Sequence, residues 1–215
     1  KLYSTLPPII SELIANGYDA CANKVWIELL GTGENKKIII VDNGFGMSFD
    51  DVDKKYLKIG RKRRAAGKQE KSKCGRLLIG KKGLGKLAFF GIAKKAVIET
   101  VRDGEKVVFE MNWGKIQDAS SKKEYEPDFS CEKTSEKNGT KITLSEIDRK
   151  SDFNIDSLTK SISNFFIFDK NFRVFIKDEG RKVFFEIDNK IRYEQGDRGE
   201  DFSWSFPEEA IKLGF

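Results

Sequence analysis

Histidine is absent from all 215 residues, and cysteine, methionine and proline number only 3, 2 and 4. Without an imidazole this chain offers no histidine phosphoacceptor and no histidine ligand for a metal. Cys21, Cys74 and Cys131 are odd in number, far apart and free of any C-x-x-C spacing. That pattern argues against a disulfide framework and a zinc site, and fits a reducing, cytoplasmic setting. Long apolar runs are missing too. The stretch 6–14 is broken by Pro7, Pro8 and Glu12, so neither a signal peptide nor a membrane span is expected. A chain that opens at Lys1 without Met reads as part of something longer. Its 215 residues suit one large domain, or one domain plus the start of a second, and can bury a core without staples.

Charge is plentiful but unevenly placed. Between Lys54 and Lys86 stand 14 Lys and Arg residues against one acid, Glu70, a local +13 within a net +6, so the rest of the chain carries −7. A solvated loop would look like this, and so would a surface for the phosphates of a nucleotide or a nucleic acid. Within this segment "GKKGLGK", residues 80–86, raises phosphate binding directly, because Gly80, Gly85 and Lys86 fit the first seven positions of a P-loop. The eighth position fails. Leu87 stands where a P-loop needs a hydroxyl for Mg2+, so glycines that cradle phosphate here would do so in another kind of site.

Pro7 and Pro8 can open a helix, whose first N–H groups have no intrahelical partner in any case. The pattern predicts a helix over 9–23 with Ile10, Leu13, Ile14 and Gly17 on one side. Glu12, Asn16, Asp19 and Asn23 fall within about 60° of one another on it. This stripe of acid and amide lacks the lysines that usually accompany a wet face. Strands are expected at 24–30 and 37–42, the second ending in "DNGFGM", residues 42–47, with Ser48 or Asp50 capping a short helix to about 57. A helix is expected from Gly85, a hairpin of 95–101 with 106–113 around Asp103-Gly104, and a strand after "KNG" to 144. A helix over 155–168 and a hairpin of 172–176 with 183–187 complete the reading. The polar stretch 117–137 shows no clear element.

Four signals therefore stand in order: "ELIANGYDA" on a helix, "DNGFG" at a strand end, "GKKGLGK" before a helix, and "NGTKI" entering a strand. Each alone is commonplace. Together, on these elements, they closely resemble the GHKL superfamily of gyrase, heat-shock protein 90, histidine kinases and MutL, over roughly residues 3–144. The stretch "IGKKGLGKLAFFGIA" looks most similar to bacterial heat-shock-protein-90-like and MORC-like ATPases. The resemblance implies a Bergerat fold, an α/β two-layer sandwich whose mixed, mainly antiparallel sheet carries helices on one face. It also implies an ATP-binding domain at 1–150 with a basic lid at about 58–86, and an extension at 151–215 that could begin a second, transducer-like domain.

Roles are implied by the resemblance residue by residue. Glu12 is similar to the general base that orients the water attacking the γ-phosphate, and Asn16 to the amide whose oxygen holds Mg2+. Asp19 and Ala20 correspond to the supporting end of that motif. Asp42 resembles the carboxylate that accepts from the adenine amino group, with Gly44, Gly46 and Met47 in the loop that closes on the base. Gly83, Leu84, Gly85 and Lys86 correspond to the phosphate-cradling end of the lid, and Thr140 to a threonine that helps bind adenine. The chemistry of the residue types agrees. Mg2+ keeps several waters, so one amide plus phosphates suffices, and a carboxylate one turn away could reach a bound water. An acceptor that suits adenine's amino group would meet guanine's oxo group with like polarity. The implied cofactors are ATP and Mg2+, and the implied function is slow ATP hydrolysis driving a conformational cycle. The larger protein would dimerise with ATP, off the membrane. The alternatives are a nucleic-acid-binding module built on the basic segment, and the catalytic domain of a histidine kinase.

Overall fold

The computed structural model describes residues 5–56, 71–79, 85–119, 127–166, 168 and 170–193. Helix α1 (Leu6–Asp19) has proline in its opening positions and buries Ile9, Ile10, Leu13, Ile14 and Gly17. It stops before the predicted 23 because Cys21 takes a left-handed φ of 62°. The Cys21 N–H then donates to the Tyr18 carbonyl at 3.0 Å and the Ala22 N–H to that of Gly17 at 2.9 Å, the two closures of a Schellman cap. Glycine is usual at that position, since a Cβ there costs roughly 1 kcal/mol.

Eight strands make one sheet: β1 (Lys24–Leu30), β2 (Lys37–Asp42), β3 (Ala93–Arg102), β4 (Glu105–Asn112), β5 (Phe129–Lys133), β6 (Gly139–Ile147), β7 (Arg173–Asp178) and β8 (Phe185–Ile187). Their order is β5-β4-β3-β6-β2-β1-β7-β8. Neighbours are antiparallel except β1 and β7, which are parallel. Strand side chains alternate between faces, and the inward rows are apolar. Phe109, Ile98, Ile142, Ile40, Ile27 and Ile176 stand side by side across β4, β3, β6, β2, β1 and β7. All six are buried, each contributing about 1.5–3 kcal/mol. Helices α1 and α4 (Ile155–Phe165) cover this face, Ile9, Ile14, Leu158 and Ile162 joining the strands in one core.

The outward face is a lattice of cross-strand ion pairs. Glu99 meets Lys141 at 2.8 Å, Lys95 meets Glu110 at 2.7 Å, and Glu28 meets Lys177 at 2.6 Å. Such pairing suits a sheet with one wet side. Buried Lys36, just before β2, reaches the carbonyls of Arg149 (3.1 Å) and Lys150 (3.4 Å) and the Asp152 carboxylate (3.3 Å). It thereby pins the β6–α4 connection at the opposite end of β2 from Asp42.

Three further elements differ from the pattern reading. After Gly85 the chain forms a 3-10 segment, Gly85–Gly91, in place of an α-helix. Only Gly91 and Ile92 separate Phe90 from β3, so there is no room to propagate further turns. Helix α4 ends at Phe165, short of 168. Strand β5 lies inside the stretch that shows no clear element, because an edge strand with four exposed residues of five has no apolar alternation to read. The short helix after Ser48 does form as α2 (Phe49–Asp51), capped by the Ser48 hydroxyl, and continues as a π-helical turn, Val52–Tyr56. Helices α3 (Trp113–Ala119) and α5 (Lys190–Tyr193) complete the described elements.

Candidate functional site

One inward row breaks the apolar pattern. Two residues along from Ile40, Ile142 and Ile98, the pairings Asp42–Thr140 and Thr140–Thr100 set a carboxylate and two hydroxyls side by side, flanked by Val25 and Val107. Helix α1 comes close to this row at Gly17, where a Cβ would stand 3.2 Å from the Asp42 Cβ and 3.1 Å from a Val25 methyl. The polar row is thus placed between sheet and helix.

Burial pushes the Asp42 carboxyl up from 3.8 to about 6, while N–H groups of Gly44 and Thr140 pull it back down. The Gly44 N–H donates to Asp42 Oδ1 at 2.8 Å. At neutral pH Asp42 is therefore a mostly ionised acceptor in a poorly solvated place. The loop after it is held at each residue. Asn43 accepts the N–H groups of Asn23 (3.0 Å) and Lys24 (2.9 Å), and Phe45 donates its N–H to the Ala20 carbonyl at 2.9 Å. Gly46 has φ 65°, and a Cβ on it would lie 1.9 Å from the Val101 carbonyl oxygen, so no other residue fits. The Met47 N–H donates to Thr100 Oγ1 at 2.8 Å. That hydroxyl, on a residue with no exposed surface, lies 3.2 Å from Thr140 Oγ1 and 3.3 Å from the Gly139 carbonyl.

Glu12, Asn16 and Asp19 are half-buried, which an ordinary wet helix face would not be. Asp19 Oδ1 accepts the Ile79 N–H at 2.9 Å, and Asn23, beyond the helix end, bonds Asn43 instead of extending the stripe. Ala20 contributes its carbonyl, as described. Gly85 opens the 3-10 segment; Gly83 and Leu84, most of the basic 58–86 segment and the Lys86 side chain lie outside the described residues.

The cysteines correct the sequence reading. Cys21 and Cys74 are joined by a disulfide with their Cα atoms 6.0 Å apart, and Cys131 is free. A separation of 53 residues hid the pair; only the docking of residues 71–79 onto the end of α1 brings the thiols together. Arg76 secures that docking. Its guanidinium donates to the Ala22 carbonyl (2.5 Å) and the Asn171 carbonyl (3.0 Å) and lies over the rings of Tyr18 (4.8 Å) and Phe172 (5.9 Å). Sequence reasoning gave no role to Thr100, Tyr18 or Arg76. A threonine within a strand reads as a plain β-former, and its place beside the Thr of "NGT" comes only from the strand register. Among the described residues, no group of three or more Cys, His, Asp or Glu could hold a metal, and no helix is long and apolar enough to cross a membrane.

Comparison with known proteins places this geometry. Residues 3–142 match the family described as histidine kinase-, DNA gyrase B- and HSP90-like ATPase. A protein named as type II restriction enzyme HgiDII, from Herpetosiphon aurantiacus, is 38% identical over 149 residues, covering 68% of this chain and 23% of its own. The chaperone protein HtpG of Anaplasma phagocytophilum is 31% identical, across 67% of this chain and 24% of its own length. The chain thus spans about a quarter of each relative. The matched stretch runs from α1 through the "NGT" turn into β6 and contains the whole polar row, and the chain belongs to the histidine kinase-, DNA gyrase B- and HSP90-like ATPase family.

Proposed function

We propose that this chain is the ATP-binding unit of a larger protein, binding ATP with Mg2+ and hydrolysing it slowly to drive a conformational cycle. The observation that carries the reading is Asp42, a desolvated carboxylate beside Thr140 in the one polar row of an otherwise apolar inward face, with the Gly44 N–H on one oxygen. Such a group accepts adenine's amino N–H and turns guanine away. Thr140 and the backbone of Gly44–Met47 would surround the base, the Gly46 conformation keeping the loop close to the sheet.

Mg2+, when bound with the triphosphate, would supply charge neutralisation and a fixed arrangement of oxygens. With no acidic cluster among the described residues to hold the ion alone, the Asn16 side-chain oxygen would be the chain's contribution. Glu12, one helical turn away, would orient and deprotonate a water. Gly83, Leu84, Gly85 and Lys86 would cradle phosphate with their N–H groups at the end of a basic lid. Residues 151–215 would connect this unit to the rest of the larger protein, and an ATP-dependent homodimer would close the cycle.

Titration calorimetry with ATP and Mg2+ tests the reading, expecting binding in the wild type and a loss of about 10- to 100-fold in Asp42→Asn, as for a lost hydrogen bond to a charged group. Equal affinity in the two proteins would remove Asp42 from the site.

A second reading adds nucleic acid. The +13 segment is one support, and similarity to a protein named as a restriction enzyme is another. Both readings can hold in one molecule, with the basic segment touching phosphates of DNA while the pocket takes nucleotide. Steeply salt-dependent DNA binding would support it.

A further inference from the structure

We propose that Cys21 and Cys74 are a reversible thiol–disulfide site that sets how firmly residues 71–79 are held against the rim of the nucleotide pocket. Cys21 occupies a position where glycine would be unstrained, at φ 62° in the cap of α1. A cysteine there is explained by what its sulfur does. Its neighbours on both sides of the bond belong to the pocket: Ala20 holds Phe45 through a 2.9 Å hydrogen bond, and Lys73 lies 5.7 Å above the Phe45 ring. Closing the bond therefore ties the 71–79 segment to the loop after Asp42.

The surroundings suit exchange chemistry. Cys74 is exposed and Cys21 half-buried, so a small thiol or disulfide can reach the pair. The Cys74 N–H lies 3.2 Å from Cys21 Sγ, and the Ser72 hydroxyl 3.2 Å from Cys74 Sγ, donors that stabilise a thiolate when the bond is open. The non-covalent clamp of Arg76, together with the Asp19–Ile79 hydrogen bond, keeps the two sulfurs near each other in the reduced state, so closure needs no large search. Closure proceeds through a low-molecular-weight disulfide such as oxidised glutathione. The Cys74 thiolate attacks one of its sulfurs and releases one thiol; the Cys21 thiolate then attacks Cys74 Sγ and releases the second. The protein loses two electrons and two protons, and the small disulfide gains both. A dithiol reductant reverses the sequence. In a reducing compartment the pair stands open, and oxidation closes it.

The effect on nucleotide rests on the ATP-binding reading of the pocket, so the test carries a readout that does not need nucleotide. Wild type, Cys21→Ser and Cys74→Ser, each also carrying Cys131→Ser, are equilibrated in glutathione redox buffers, alkylated and mapped by mass spectrometry. The expected result is a Cys21–Cys74 linkage that closes and reopens reversibly. In the closed wild type, trypsin cleavage at Lys71 and Lys73 should slow at least threefold, and fluorescent ADP should dissociate at least threefold more slowly. Both serine variants should show the open rates in every buffer. A pair that never closes, or that closes with unchanged cleavage and ADP dissociation, overturns the proposal. If no form binds ADP, the pocket reading fails and the cleavage ratio alone decides for or against the switch.

Discussion

Asp42 carries two opposite pH dependences. Its folded value of about 6 exceeds the ordinary 3.8, so the native chain binds more protons than the unfolded one between those values. The stability that protonation contributes is fully present below 3.8 and is lost as pH rises through 6. If adenine is bound as proposed, its recognition needs the carboxylate, so ADP affinity should fall below pH 6, approaching about tenfold per pH unit. Titrations at pH 5 and 7.5 check this, and Asp42→Asn should flatten both dependences. Thr100 makes a second residue-scale case. Thr100→Val keeps the shape but leaves the Met47 N–H without its acceptor, at a cost of about 1–3 kcal/mol. Thr100→Ser should restore both stability and ADP affinity to near the parental values, measured by urea unfolding and titration. Equal losses in Val and Ser would show that the hydroxyl alone does not carry the effect.

At the scale of elements, the loop Asp42–Met47 and the segment 71–79 are fastened in different ways. Gly46 tolerates no Cβ because the Val101 carbonyl is in the way, so Gly46→Ala should destabilise by more than about 2 kcal/mol through backbone displacement. Calorimetric melting would show it. The 71–79 segment depends on long side chains. Arg76→Ala removes two hydrogen bonds to carbonyls and the cover of Tyr18 and Phe172, so amide exchange across 71–79 should accelerate at least tenfold in reducing buffer while that of β1–β3 stays slow. Uniform acceleration would mean that Arg76 holds up the whole fold.

For the molecule as a whole, binding and chemistry should separate along α1. Glu12→Ala should keep ATP and lose about 100-fold or more in turnover, as for a general base. Asn16→Ala should instead weaken Mg2+-dependent ATP binding, with hydrolysis falling as a consequence. Phosphate release and calorimetry in the longest available chain distinguish them, and parental turnover in Glu12→Ala would return the helix stripe to a structural role.

Much of this was legible in the order of residues because it depends on local pattern. The continuous apolar run 38–41 marks a strand, Pro7 and Pro8 mark a helix start, and "DNGFGM" marks a strand end that needs glycine. Those features rest on backbone sterics and side-chain period, which act over a few residues. Register, in contrast, joins residues far apart in the chain. That Thr100 stands beside Thr140 and Thr140 beside Asp42 is a result of strand pairing across β3, β6 and β2, and the alignment joins three residues far apart in the chain into one polar row. Cys21 and Cys74, 53 residues apart, likewise meet only through tertiary contact, the docking of residues 71–79 onto the end of α1. Local sequence determined most of the elements and where the glycines must stand. Tertiary packing decided which of their side chains meet, because only the paired sheet and the helix against it fix distances between them.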